Sequence, residues 1–72
     1  MNDKITEKQI GMVKCFFPAR GYGFITSCGK DYFVYYNDII MEGYKTLTEG
    51  QMVKFLSRKS DKGLVAYNVT VS

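Results

Sequence analysis

The sequence predicts an all-β fold, a compact barrel of five short strands in one small domain. β-Branched and aromatic residues come in short runs, Gly, Asn, Asp and Ser interrupt these runs, and no stretch has a convincing helical period. A chain of 72 residues has room for one domain. Five strands in so small a domain favour a closed barrel, because closure removes the sheet edges that would otherwise aggregate.

The five strands are predicted at residues 10–16, 22–26, 31–36, 51–56 and 64–71. Residues 17–21 break the chain after the first strand, because Pro18 lacks the amide donor that a sheet ladder needs. A tight turn at 27–30 joins the second strand to the third. The long connection that follows contains one helical turn at 38–40, and a polar loop at 57–62 precedes the last strand.

The N-terminus and the overall hydropathy give no sign of export or of a membrane span. The first eight residues lack the apolar stretch of a signal peptide, and no run approaches the ~18 apolar residues that cross a bilayer. We therefore expect a cytoplasmic protein with no membrane partner. Residues 1–8 are predicted to be a loose extension, followed by a single domain at 9–72.

The chain contains two cysteines, Cys15 and Cys28, and no histidine. A zinc site needs about four thiolate or imidazole ligands, so no metal or other cofactor is expected. Without an export signal, reduced thiols are favoured over a disulfide. Neither thiol has an evident base partner and no carboxylate pair marks a pocket, so we expect no catalytic residue, no enzymatic activity and no small-molecule substrate.

Nine of the eleven aromatic residues fall between positions 16 and 44. Because strand side chains alternate between faces, Tyr22 and Phe24 share one face of the second strand, and Phe33 and Tyr35 share one face of the third. In a hairpin these two pairs would meet. One interpretation is that all the rings belong to the core, since aromatic cross-strand pairs commonly stabilise sheets.

The opposite faces favour a second interpretation, a solvent-facing aromatic surface. They supply Ile25 and Val34, and four more residues complete an aliphatic core: Val13, Val53, Val65 and Val69. Lys14, Arg20 and Lys30 lie in or beside the same strands and turns. Rings bordered by cations suit a single-stranded nucleic acid, whose bases stack while its phosphates are neutralised. The net charge of +3 is compatible with such a partner but does not identify one.

Two glycines fit the same pattern, because Gly21 suits a turn with positive φ and Gly23 leaves space for a packed residue. Residues 20–25, Arg-Gly-Tyr-Gly-Phe-Ile, are similar to the first ribonucleoprotein motif of the bacterial cold-shock domain, K-G-F-G-F-I. Residues 32–36, Tyr-Phe-Val-Tyr-Tyr, resemble its second motif, V-F-V-H-F. The likeness extends almost end to end and leaves out only about the first eight residues.

The resemblance implies a five-stranded antiparallel OB-type barrel that binds single-stranded RNA or DNA with little sequence specificity. The family's stacking positions carry over to Tyr22, Phe24, Phe33, Tyr35, Tyr36, Tyr44 and the partly packed Phe16. Its phosphate contacts carry over to Lys14 and Arg20, and position adds Lys30 and Lys62 as candidates. Alternation alone would turn Tyr36 inward, so a twist at the strand end is needed to expose it. Phe17 and Tyr32 are assigned to packing or turn roles.

The sequence departs from the family pattern at two positions on this surface. Cys15 stands where the family has an exposed tryptophan, so its largest stacking platform is missing. Tyr35 replaces the usual histidine and partly compensates. Stacking is worth ~1–3 kcal/mol per base, so losing one platform would weaken binding roughly tenfold or more.

The resemblance favours a monomeric RNA chaperone that holds melted strands extended, with effects on transcription or translation. An alternative from another class is a protein-binding or oligosaccharide-binding barrel that uses the same aromatic face. Salt would distinguish a polyanion from a protein partner, because polyanion binding weakens steeply as the salt concentration rises.

Overall fold

The computed structural model describes residues 8–71, which form five strands and one short 3₁₀ helix. The strands are β1 (Gln9–Phe17), β2 (Tyr22–Ser27), β3 (Lys30–Tyr35), β4 (Met52–Ser60) and β5 (Gly63–Val71). The 3₁₀ helix, Tyr36–Asp38, directly follows β3. Apart from Lys8, the predicted N-terminal extension lies outside the described residues. Within the described part, no helix is long and apolar enough to cross a membrane.

The strands close into a barrel in the order β1-β2-β3-β5-β4. The predicted all-β, five-stranded barrel is therefore confirmed. Neighbouring strands run antiparallel, with one exception: β3 and β5 are parallel and pair Phe33 with Val65 and Val34 with Ala66. This pairing matters for the surface described below, because it brings β5 alongside the aromatic residues of β3.

Two predicted boundaries are wrong. The helical turn lies at Tyr36–Asp38 rather than at 38–40, because Ile39 is buried and forms a parallel bridge with Val69. The polar loop at 57–62 is shorter than predicted, since β4 continues to Ser60, which pairs with Gly63. The predicted end of the strand was set by the change to polar side chains after Leu56. The backbone pairing with β5 continues past that point, so this change does not mark the end of β4.

The core is mostly aliphatic and contains two rings. Its buried residues are Val13, Ile25, Tyr32, Val34, Ile39, Leu47, Val53, Phe55, Ala66 and Val69. Tyr32 meets Phe55 edge to face with ring centroids 5.1 Å apart, so the packing role predicted for Tyr32 is confirmed. The prediction that Val65 belongs to the core is wrong, because this residue lies half-buried on the outer side of β5. Phe55, which is fully buried, supplies the apolar volume instead.

A small polar cluster ties β1, β2 and β4 together at one end of the barrel. The buried Ser27 hydroxyl donates to the Ile10 carbonyl at 2.7 Å and accepts from the Gln9 side-chain amide at 3.2 Å. The Gln9 amide oxygen in turn accepts from the Ser57 hydroxyl at 2.9 Å. Buried polar groups are stabilising only while they remain hydrogen-bonded, so the cluster depends on Ser27.

Replacing Ser27 by alanine is expected to lower the free energy of unfolding by about 1–3 kcal/mol, because the Ile10 carbonyl and the Gln9 amide, both part-buried in this cluster, lose a partner. A lower urea midpoint with an unchanged slope would show this. Ser60→Ala is the matched control, since its hydroxyl bonds Gly63 in an exposed turn and its loss should change stability by less than about 0.5 kcal/mol. Equal effects of the two substitutions would contradict the role assigned to the cluster.

Candidate nucleic-acid interface

A β-bulge at Lys14 decides which side chains of β1 face outward. Val13 pairs with Ile25, but Cys15 pairs with Phe24, so Lys14 has no partner on β2 and the alternation is displaced by one residue. Past the bulge Phe16 pairs with Gly23 and Phe17 with Tyr22. Paired residues share a face, so these two phenylalanines lie on opposite sides of the sheet from those that plain alternation predicts.

Phe16 turns inward, where it is half-buried and packs against the core. The glycine predicted to leave space does so for this residue: a Cβ at Gly23 would lie 2.7 Å from the Phe16 Cα. Phe17, which was assigned to packing or to the turn, is 43% exposed on the outer face. The structure therefore places Phe17 with the outer aromatic residues and Phe16 away from them.

Six rings on β1, β2, β3 and the 3₁₀ helix form a continuous outer surface. This aromatic surface consists of Phe17, Tyr22, Phe24, Phe33, Tyr35 and Tyr36. The central ring is Phe33, whose centroid lies 5.6 Å from Tyr22, 5.7 Å from Phe24 and 6.5 Å from Tyr35. Its contact with Tyr22 is stacked, with 25° between the ring planes, whereas Phe24 meets it edge to face.

The two ends of the ring series are the most exposed. Phe17 contacts Tyr22 at 5.4 Å, and Tyr36 contacts Tyr35 at 5.1 Å. Tyr35 and Tyr36 are 41% and 42% exposed. Each ring is held by at least one neighbouring ring, so little side-chain freedom remains to be lost when a planar ligand stacks on them.

The 3₁₀ helix explains how Tyr36 reaches the outer surface although alternation along β3 would turn it inward. The Tyr36 amide donates to the Gly21 carbonyl at 2.8 Å, which joins the start of the 3₁₀ helix to the β1–β2 turn. Gly21 has a φ of +77°, and a Cβ there would lie 2.9 Å from the Tyr36 ring. Gly21 thus satisfies both its predicted turn geometry and the close approach of the ring.

A groove of about 460 Å³ lies beside Tyr36 at one end of the aromatic surface. Tyr44, which is 72% exposed, forms its far wall. Two cations, Arg20 and Lys45, line the same groove. Arg20 was a sequence candidate, but Lys45 was not, although its position next to Tyr44 on a predicted surface loop could have indicated it.

A second groove, of about 630 Å³, lies beside Phe24 and Phe33, between these rings and the β4–β5 hairpin. The β4–β5 hairpin forms its opposite wall and brings Lys62 to it. Lys30, by contrast, lines neither groove. It precedes Asp31 on β3, and alternation directs its side chain to the face opposite Phe33.

Lys14 already has an anionic partner at the edge of this surface. Its ammonium donates to the Asp31 carboxylate at 2.8 Å, and the Thr26 hydroxyl donates to the same carboxylate at 2.7 Å. The hydrogen bonds from Lys14 and then Thr26 lower the pKa of the Asp31 carboxyl, and the bond to Asp31 raises the pKa of the Lys14 ammonium. A phosphate contact by Lys14 would therefore compete with Asp31.

The Asp31 carboxyl is expected to titrate below the usual value of about 3.9 for aspartate. Because its folded-state pKa is lowered, the stability contributed by the pair is present above that value and is lost as the pH falls through the folded-state pKa. NMR titration of the Asp31 side chain would measure this, and Lys14→Ala should raise the pKa by more than Thr26→Ala. An Asp31 pKa that does not respond to Lys14→Ala would contradict the ion pair.

Comparison with known proteins identifies the family. A family model described as the 'Cold-shock' DNA-binding domain matches residues 9–72. The chain is 45% identical over 67 residues to cold shock protein CspV of Vibrio cholerae, covering 90% of this chain and 96% of that protein. It is 50% identical over 62 residues to a cold shock-like protein of Thermotoga maritima, covering 85% and 94%. The chain belongs to the cold-shock domain family.

Family membership establishes the broad function. Cold-shock domains are non-enzymatic nucleic-acid-binding domains, and this chain is one of them. The resemblance stated from the two ribonucleoprotein-like motifs is therefore confirmed. The described residues 8–71 contain no cluster of three potential metal ligands.

The two thiols of this cold-shock domain lie far apart. Cys15 is half-buried on the outer side of β1 opposite Phe24, next to the aromatic surface. Cys28 lies in the β2–β3 turn beyond Ser27, and Ser27 is itself three strand residues, about 10 Å, from Phe24. Since a disulfide needs Cα atoms within about 7 Å, the geometry excludes a bridge between them.

Proposed function

We propose that the aromatic surface binds single-stranded RNA or DNA by base stacking, with little sequence specificity. The observation that carries this proposal is the continuous series of six rings on the outside of a barrel whose core is filled without them. Every base has a π-face, so a surface of rings accepts any unpaired sequence. Stacking and phosphate contacts need no 2′-hydroxyl, so both RNA and DNA are accepted.

Cations in both grooves beside the surface support a strand that crosses it. Arg20 and Lys45 line the groove beside Tyr36, and Lys62 lines the groove beside Phe24. The backbone phosphates of a strand stacked on the rings would enter these two grooves. Lys14 is a weaker candidate because of its bond to Asp31, and Lys30 projects from the other face.

Binding of this kind makes the protein an RNA chaperone. A base is able to stack on a ring only after it leaves its partner in a duplex, so the surface binds melted strands and not paired ones. Bound strands are held extended, and intramolecular hairpins do not re-form. A monomer is sufficient for this activity, because one chain supplies the whole surface. The cytoplasm is the proposed compartment.

Fluorescence anisotropy of a labelled short oligothymidylate tests this proposal directly. Saturable binding is expected, and the slope of log K against log salt should be about −0.7 for each phosphate neutralised on a single strand. A hairpin RNA with a fluorophore and a quencher at its ends should open as protein is added. Absence of saturable binding at low salt would overturn the proposal, and salt-independent capture of a protein would favour the alternative partner class.

A further inference from the structure

The outer face of the β4–β5 hairpin carries a second aromatic and basic feature. The Arg58 guanidinium carbon lies 5.0 Å from the centroid of the Tyr67 ring, a cation–π arrangement. Tyr67 is one of the two aromatic residues that lie outside positions 16–44, and the other, Phe55, is buried. The pair is separate from the aromatic surface. Among the described residues, no ring–ring or cation–π contact joins Arg58 or Tyr67 to any of its six rings.

The strand pairing places Arg58 in line with the aromatic surface. Phe24 pairs with Phe33, Phe33 with Val65 and Val65 with Arg58, so the four side chains form one row on the outside of the barrel. With strands about 4.8 Å apart, Arg58 is about 10 Å from Phe33 as measured around the barrel. Tyr67 lies two residues beyond Val65 on the same face of β5.

The groove beside Phe24 and Phe33 leads towards this pair. Val65 lines that groove together with Lys62, and it is the direct neighbour of Arg58 on β4. A strand that leaves the aromatic surface through the groove therefore meets Arg58 and Tyr67 next. Val65, which is half-buried on the outer side of β5, provides an apolar contact between the aromatic surface and the Arg58–Tyr67 pair.

The chemistry of the pair suits an unpaired nucleotide. A guanidinium held over a ring keeps a planar face for a base and N–H groups for a phosphate, and the ring limits the freedom that binding would otherwise remove. We propose that Arg58 and Tyr67 form an additional contact site for the same single strand, which lengthens the bound segment beyond the aromatic surface. This inference rests on the proposed function, since it needs a strand already bound to the six rings.

The test compares labelled oligothymidylates of about 4 and about 12 nucleotides, which span the site sizes of OB folds. Arg58→Ala and Tyr67→Ala should each weaken binding of the longer strand about fivefold, the effect of losing one modest stacking contact. Both should leave binding of the shorter strand unchanged, which also shows that the variants are folded. Arg58→Ala should in addition reduce the salt slope for the longer strand by about 0.7.

Two control variants separate this site from general effects. Tyr67→Phe keeps the ring and should bind both lengths as the parent does. Lys59→Ala removes the same charge from the neighbouring residue, whose side chain alternates to the other face of the hairpin, and should change the longer strand's affinity by less than Arg58→Ala.

Three results would overturn the inference: no effect of Arg58→Ala and Tyr67→Ala on either length, equal weakening of both lengths, or a loss in Lys59→Ala as large as that in Arg58→Ala. Each leaves the proposed function standing, because the parent still binds the shorter strand. Failure of the parent to bind either length would instead refute the proposed function, and this inference with it.

Discussion

Replacing Tyr35 and Tyr36 together by alanine is expected to weaken binding of a short single-stranded oligonucleotide by about thirtyfold or more. Each ring is about two-fifths exposed at the end of the ring series, where a base is able to cover it. Two stacking contacts at ~1 kcal/mol or more each give this factor. Anisotropy titration measures the affinity, and circular dichroism shows whether the barrel is intact.

The matched control replaces two exposed apolar residues on a different part of the barrel. Ile10 and Met52 lie on β1 and β4, away from the aromatic surface, and are 56% and 46% exposed. Their joint replacement by alanine removes similar apolar area but should leave the affinity within about twofold, because single exposed apolar residues need no functional explanation. A control as damaging as the tyrosine pair would contradict stacking on this surface.

Replacing Cys15 by tryptophan is expected to strengthen binding by roughly tenfold or more. Cys15 pairs with Phe24 in the outer row that continues through Phe33, so a ring at this position would widen the aromatic surface on the β1 side. One additional stacking platform contributes ~1–3 kcal/mol. Cys15 is half-buried on an outward face, so the larger tryptophan side chain would extend into solvent.

Cys15→Ala separates the gain of a ring from the loss of a thiol. It should bind as the parent does, because the cysteine itself supplies no stacking face. If a folded Cys15→Trp variant binds no more tightly than Cys15→Ala, the bound strand does not pass over this part of β1. The contact of the strand with the row of Cys15, Phe24 and Phe33 would then end at Phe24.

Alternation predicts the faces of β2 and β3 correctly, whereas a bulge interrupts it on β1. On the two central strands it placed Tyr22 with Phe24 and Phe33 with Tyr35 on one face, as the structure does. On β1 the bulge at Lys14 displaces the pattern, and neither neighbour of that residue, Val13 or Cys15, is a glycine or proline that would indicate a bulge. One unpaired residue is enough to exchange the faces of all that follow it.

The remaining differences come from interactions between distant parts of the chain. Tyr36 reaches the outer surface because a 3₁₀ helix replaces the end of the predicted strand and bonds to Gly21, fifteen positions earlier. Lys14 was predicted to contact phosphate, but it bonds Asp31, a β3 residue that lies across the intervening strand β2. Local pattern carries no information about either contact, whereas it indicated the motif glycines and every predicted core valine except Val65.

An NMR chemical-shift map with a short oligothymidylate locates the bound strand on the barrel. Ring resonances of Tyr22, Phe24, Phe33, Tyr35 and Tyr36 are expected to shift together and saturate at one concentration. The side chains of Ile10 and Met52 should not shift. Saturable shifts confined to Ile10, Met52 and their neighbours, with the rings of the aromatic surface unmoved, would contradict binding of the strand to that surface.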